Sequence, residues 1–594
     1  MPIAPDFSER LANFNLRSLF QAQNLQTLIQ APNINTNRCS LNWSDLNLCE
    51  GSAMLSSIHP GESTSVWHHT QSMPKFPKLS ENISVDVCVV GGGIAGLTTA
   101  YLLTKEGKSV CVLEDFELGS GQTGRTTAHF VTALDDRYFE IEKLHGEKGA
   151  RLTGESHRAA IKKLEQIVSD EKIECELERV SGYLFALGDK RPRLIDREFA
   201  AARRCGIEVE LLGKMPLVPF DTGPCLRFPE QVEIHPLKYL DGLARSIHQS
   251  GGKIFTHTHV TQIKGGEKAR VETKDGFAVN CSSIVVATNT PINDLFAIHT
   301  KQAPYRTYVV AFKIPKGSVP KALYWDTLDP YHYIRVESGP PEEVSGHDIL
   351  IVGGEDHKTG QDDNPESRYE RLEMWTRKKF PMVSEVLYRW SGQVMEPVDG
   401  LGFLGHNPMD RNNVYIITGD SGNGMTHSTI GAMLITDQIL ERPNSWEELY
   451  NPSRISFRAA PEFMRENGNV AAQYADWFTP KPKPNFNRIA PNEGVVFREG
   501  LKMIAAYKDE TGEIEYLSAA CPHLGGVVHW NKAEKSWDCP CHGSRFDAHG
   551  KVIEGPASTN LKPINPNDLE IGQRGVPVIA ETKKMLTNEK LASI

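Results

Sequence analysis

"VDVCVVGGGIAGLTTAYLLTKEGKSVCVLE", residues 85–114, decides the fold of the first half of this chain. A β-branched run (85–90) leads into Gly91-x-Gly93-x-x-Gly96, a helical stretch follows, and a second β-branched run ends at Glu114. Gly91 permits a tight turn, Gly93 lets a pyrophosphate approach the backbone, and Gly96 lets helix and strand pack closely. The helix start at Ile94 and Ala95 offers phosphates its free N–H groups and a favourable dipole. Glu114 stands where it can accept hydrogen bonds from both hydroxyls of an adenosine ribose. A plain glycine-rich turn needs none of this register, so the stretch predicts a dinucleotide site. A carboxylate facing a free 2′-hydroxyl suits FAD or NAD and disfavours NADP.

Outward from this stretch, residues 84–445 alternate short β-branched runs with longer helical ones, the pattern of an α/β domain with a largely parallel sheet. In "NNVYIITGDSGNGMTHSTIGAMLITDQI" (412–439) a strand ends at Gly419-Asp420, a turn holds Gly422, Asn423 and Gly424, and a helix starts at Met425 and Thr426. This is either a second cofactor segment or a plain strand-turn-helix unit. "ILIVGGEDHKTG" (349–360) has no third glycine in register, so it reads as strand and loop rather than as a second nucleotide site.

At 594 residues the chain exceeds one hydrophobic core. Its net charge of −10 argues against nucleic acid and anionic membrane surfaces as partners. No apolar run approaches the roughly 18 residues that cross a bilayer, so no membrane insertion is expected. Residues 1–57 read as a disordered extension, with an amphipathic stretch that leaves an organelle presequence open. Most of the eleven cysteines are scattered, which fits a reducing compartment: the cytoplasm, or alternatively an organelle matrix. Residues 446–491 read as a connecting segment ending in the Pro/Lys linker "TPKPKPNFNRIAP", 492–580 as a small β domain, and 581–594 as a tail.

The β domain holds "CPHLGGVVHWNKAEKSWDCPCHGSRFD" (521–547), with Cys521-x-His523 and Cys539-x-x-His542. Two thiolates and two imidazoles admit either tetrahedral zinc or a two-iron cluster with two Cys on one iron and two His on the other. The flanking residues choose between them. "CPHLGG", "CPCHGSRFD" and the later "GKVIEGPA" resemble the Rieske [2Fe-2S] domain. The resemblance makes Cys521 and Cys539 ligands of one iron, and His523 and His542 ligands of the other. Respiratory and photosynthetic Rieske subunits place a cysteine where this chain has Gly526 and bond it to the cysteine at the position of Cys541, so that disulfide is absent here. They also have Tyr where Phe546 stands, while Ser544 is retained. Fewer hydrogen bonds to sulfur predict a lower reduction potential than in those subunits.

The first half resembles the D-amino-acid-oxidase-like FAD oxidoreductases, through the two segments above and "GSGQTGRTTAH" (119–129), "HTHVTQI" (257–263) and "IVVATNTP" (284–291). The resemblance implies an α/β Rossmann-like FAD-binding domain interleaved with an α+β substrate domain over 58–445, followed by the all-β Rieske domain. It places Arg125, Thr126 and Thr127 beside the flavin and gives Val260 a backbone contact to adenine. His129 reads as an uncoupled loop histidine, and Trp390 as a core residue or a neighbour of the flavin. Tyr333 and Arg335 alternate on one strand face, where they either hold a substrate carboxylate or face solvent. The combined architecture implies oxidation of a small amine or amino-acid-like substrate. Electrons would pass from FAD to the cluster and on to an external acceptor. The reverse flow from a donor, or a redox-sensing role without catalysis, are the alternatives.

Overall fold

The first strand of the opening stretch forms over Val87–Val90, the helix over Ile94–Lys105 and the second strand over Val110–Leu113. Residues 85–86 form no strand: the Asp86 carboxylate accepts from both the N–H and the hydroxyl of Ser109, at 2.7 Å each. The strands join a six-stranded sheet in which Phe403–His406 is the one antiparallel member. All four residues of each of those two strands are buried, as strands covered on both faces require.

The computed structural model describes residues 63–187, 192–216, 218–294, 296–339 and 346–570, all within one compact unit. The extension expected over 1–57 and the tail over 581–594 lie outside the described residues.

The expectation of a largely parallel sheet across 84–445 holds only for the cofactor half. The substrate half is a nine-stranded sheet whose long strands Gln302–Pro315, His347–Lys358 and Val386–Pro397 pair antiparallel. Its one parallel pairing joins Leu323–Asp326 to Glu178–Phe185. Gln302–Pro315 is buried almost throughout although its neighbours on both sides are antiparallel, and it carries the polar Gln302, Arg306 and Thr307 inside as well as the apolar run 308–312.

The connecting segment carries a helix, Ala460–Gln473. The last domain then forms an antiparallel three-stranded sheet from Glu493 to Ser518 and an antiparallel four-stranded sheet from His529 to Glu554. It docks on the first two domains through a buried carboxylate. Glu534 Oε1 accepts from Ser63 Oγ at 2.6 Å and from Ser391 Oγ. Arg125 lies 3.7 Å from Glu534, and Arg306 and Arg545 lie 3.9 Å away. Burial alone would raise the Glu534 pKa, but the three guanidiniums outweigh it and hold the carboxyl below its ordinary range.

Candidate functional site

A cavity of about 330 Å³ runs between the parallel sheet and the nine-stranded sheet. Gly91, Gly93, Ile94, Ala95, Glu114 and Val260 line one part of it. Gly91 sits at φ 111° against the Ala287 carbonyl, and a Cβ on Gly96 would stand 1.9 Å from the Gly91 oxygen. Gly96 therefore serves the helix–strand contact and does not line the cavity. A Cβ on Gly93 would meet only Thr123 Oγ1, at 3.0 Å, so the backbone there is open to a phosphate. Glu114 accepts from Gly92 N at 2.6 Å and Phe116 N at 3.0 Å, which fixes its carboxylate at the cavity wall. These residues fit the adenosine pyrophosphate of a dinucleotide.

Arg125, Thr126 and Thr127 line the middle of the cavity. The Arg125 side chain donates to the Ser391 and Ser63 carbonyls, both at 2.8 Å, so its charge serves the domain junction. Trp390, fully buried, donates to the Arg125 carbonyl at 2.8 Å, and Trp67 donates to that of Thr126 at 2.6 Å. Asp420, Gly422, Asn423, Gly424 and Met425 bring the second helix start, Gly424–Ile439, to the same cavity. Thr426 does not reach the cavity: its hydroxyl turns to the main chain of Val131, which corrects its expected cofactor role.

The inner end is lined by Trp325, Tyr331, Tyr333, His129, Asp135 and Arg137. Tyr333 is held by Thr307 at 2.8 Å, and Tyr331 donates to Asp135 Oδ2 at 3.0 Å. Burial raises the Asp135 carboxyl and pushes Asp420, Asp136 and Asp356 up to about 7. His129 is pushed down to about 3 by burial and then by Arg335, so its ring is neutral.

Arg335 corrects the other substrate expectation. It is 2% exposed and does not line the cavity. It pairs with Glu337 at 2.5 Å and donates to the carbonyls of Thr127, Ala128 and Ile234. Buried away from the cavity and turned to Glu337 and to main-chain carbonyls, it is neither a carboxylate receptor nor part of a solvated face. Sequence reasoning missed Asp135, Arg137, Trp325 and Tyr331. Each comes from a stretch with no motif, and only the folded chain brings them together.

The cluster loops lie on the face of the last domain that meets the other two. The rings of His523 and His542 stand 5.1 Å apart at 88°, and Cys521 and Cys539 are both buried. A Cβ on Gly526 would lie 2.6 Å from Cys541 Sγ and 3.2 Å from Cys539 Sγ, so this glycine occupies the expected place beside the spare thiol. Ser544 is fully buried and accepts from Ala557 N at 3.0 Å. The four side chains fit a two-iron cluster. From the connecting segment, Tyr474 donates to Leu524 O at 2.8 Å and Trp477 to Gly525 O at 2.9 Å, clamping the first loop from outside.

The two sites share a wall. Val552, Ile553 and Glu554, which form the last strand of the four-stranded sheet, and Gly555 and Ala557 just after it line the cofactor cavity. Gln122 donates to Glu554 at 2.7 Å, and Gln393 to Gly543 O, in the second cluster loop, at 3.2 Å.

A family model of FAD dependent oxidoreductases matches residues 86–438, and a Rieske [2Fe-2S] domain model matches 485–565. YhfW of Bacillus subtilis (strain 168), named as a Rieske 2Fe-2S iron-sulfur protein, is 33% identical over 85% of this chain and 97% of its own. The gamma-glutamylputrescine oxidoreductase of Escherichia coli (strain K12) is 28% identical over 61% of this chain and 85% of its own. A glycine oxidase structure from Geobacillus kaustophilus shares the fold, with a TM-score of 0.53 at 17% identity over 63% of this chain and all of its own. Among the described residues no helix is long and apolar enough to cross a membrane.

Proposed function

Because the chain belongs to the FAD dependent oxidoreductase family and carries a Rieske [2Fe-2S] domain, we propose that it oxidises a small amine or amino-acid-like substrate at the inner end of the cavity and delivers the electrons, through the cluster, to an external acceptor. The observation that carries this reading is the shared wall: residues 552–555 and Ala557 of the cluster-bearing domain line the cavity that holds the dinucleotide motif. Bound FAD supplies a two-electron acceptor, and the iron-sulfur centre a one-electron carrier.

Gly91, Gly93, Ile94, Ala95, Glu114 and Val260 hold the adenosine pyrophosphate, and the 125–127 loop and the helix start at Gly424 hold the flavin. Cys521, His523, Cys539 and His542 hold the cluster. The substrate class follows from charge. Asp135 lines the inner end with Asp136, Glu396 and Asp356 behind it, and burial followed by mutual repulsion raises Glu396 well above the ordinary carboxylate range. An ammonium group beside Asp135 favours the ionised form of its raised carboxyl and pairs with it, and Tyr331 orients that carboxyl through its hydroxyl. The aromatic walls of Trp325 and Tyr333 exclude water from the carbon next to the nitrogen.

The test is anaerobic titration of the holoprotein with a panel of amines and amino acids, following flavin absorbance and then the EPR signal of the reduced cluster. Bleaching by amines with subsequent appearance of the cluster signal is expected. If NADH bleaches the flavin while every amine fails, the substrate reading falls. If the flavin bleaches and the cluster stays oxidised, the electron route falls.

A further inference from the structure

The segment that follows the strand Ser283–Val286 touches both sites. Thr288, Asn289 and Ile292 line the cofactor cavity, and a few residues later His299 lies against the cluster histidines. Its ring stands 4.8 Å from that of His523, with planes at 75°, and 5.7 Å from that of His542. His299 is 3% exposed and belongs to the flavin-binding part of the chain, so nothing in the cluster motif requires a histidine there.

Hydrogen bonding fixes the tautomer of this ring. Nε2 lies 2.8 Å from the main-chain carbonyl of Asp294, and since a carbonyl only accepts, Nε2 carries the hydrogen. In the neutral ring Nδ1 is then an acceptor, and among the described residues it has no hydrogen-bond partner. A histidine that binds iron through one ring nitrogen carries a hydrogen on the other and characteristically donates it to a neighbouring acceptor. The cluster edge therefore presents a donor where His299 presents an acceptor.

We propose that His299 is a positioning residue of the iron-sulfur centre, whose Nδ1 accepts a hydrogen bond from the iron-ligating imidazole of His523. The inference rests on the reading of His523 as a cluster ligand. The bond ties the histidine edge of the cluster to the flavin-binding domain. It also sets the potential, because accepting the hydrogen makes the imidazole a stronger electron donor to iron and stabilises the oxidised cluster. Removing the acceptor raises the midpoint potential. Loss of polarity alone acts the other way, since an apolar neighbour disfavours the more negative reduced cluster. An upward shift therefore isolates the hydrogen bond.

EPR-monitored redox titration of the holoprotein, with iron content measured alongside, compares wild type with His299→Gln, His299→Leu and His299→Phe. The Gln variant keeps an acceptor and holds the wild-type midpoint, while Leu and Phe both shift it upward. Phe keeps a ring in the space, so the comparison stands if Leu fails to assemble. A midpoint unchanged in the variants without an acceptor, or moved equally by Gln, overturns the proposal. Absence of a reduced-cluster signal in wild type overturns the cluster reading itself, which is a separate failure.

Discussion

The two redox sites are built in opposite ways. The cluster ligands lie on two loops of one small β domain, between Cys521 and His542, while the cavity gathers side chains from Val90 to Ala557 out of three domains. In the first site the chemistry allows little choice, since iron takes thiolate and imidazole at fixed positions. In the second, the dinucleotide dictates a backbone shape at one end, but the substrate end is only a surface that distant strands happen to enclose. A site whose chemistry is strict and whose chain is short is therefore readable as text, and one assembled at long range is not.

The sharpest way to break that contrast is to ask whether the cluster loops obey their motif residue by residue. Cys539→Ser abolishes the cluster, with loss of bound iron and of the EPR signal, whereas Cys541→Ser, in the same loop, retains both. Cys541 is buried beside Gly526 and free, and the loop is clamped by Tyr474 and Trp477 instead of a disulfide. Equal iron loss in the two variants would show that the motif had been read at the wrong cysteine.

The junction between the sites comes next in size. Glu534→Ala leaves Arg125, Arg306 and Arg545 buried around an absent partner, and breaking a buried pair in this way costs about 3–5 kcal/mol. Chemical denaturation of the holoprotein measures the loss. pH separates this junction from the chamber. Glu534 is held below its ordinary value of 4.5, so its contribution is present above that pH and lost as pH falls through its lower folded value. Asp136, Asp356 and Asp420 are raised from 3.8 to about 7, so their contribution is present below 3.8 and lost as pH rises through about 7. Acid weakens the junction and alkali weakens the chamber. Glu534→Gln flattens the acid limb of a stability–pH profile, and Asp356→Asn the alkaline limb.

The same contrast explains what the sequence made legible. The turn at Gly91, the close packing at Gly96 and the carboxylate of Glu114 were all read from one uninterrupted stretch; in the fold Gly91 takes a positive φ, Gly96 packs on the Gly91 oxygen and Glu114 lines the cavity. Thr426 and Arg335 were misplaced for one reason: alternation and helix position say which residues share a face, not what that face meets. Thr426 met Val131, and Arg335 met the carbonyls of the 127–128 loop. Asp135, Tyr331, Glu534 and His299 carry no local signal, because their partners lie far along the chain.

At the readable end of the chamber, Glu114→Gln sharpens the comparison. It removes the charge from hydrogen bonds worth about 1.5–3 kcal/mol, which weakens FAD binding about 10- to 100-fold while the cluster signal stays intact. Retention of FAD through gel filtration and a direct Kd measure it. Unchanged affinity would mean that the carboxylate serves only its own turn, through Gly92 N and Phe116 N.

The smallest effect belongs to the unreadable end. Tyr333 lines the cavity with its hydroxyl bonded to Thr307, and Arg335, two residues along the same strand, never reaches it. Tyr333→Phe removes one neutral hydrogen bond, worth about 0.5–1.5 kcal/mol, so the KM for an active amine rises about two- to tenfold with FAD content unchanged. Arg335→Lys acts elsewhere. A lysine cannot replace a planar donor that serves three carbonyls and a carboxylate, so the 125–129 loop loosens and FAD is lost more readily, while enzyme that retains FAD keeps its KM. If Arg335→Lys instead raised KM for substrates bearing a carboxylate and spared those without one, the arginine would belong to the substrate after all. The division of this strand between substrate and cofactor loop would then have to be redrawn.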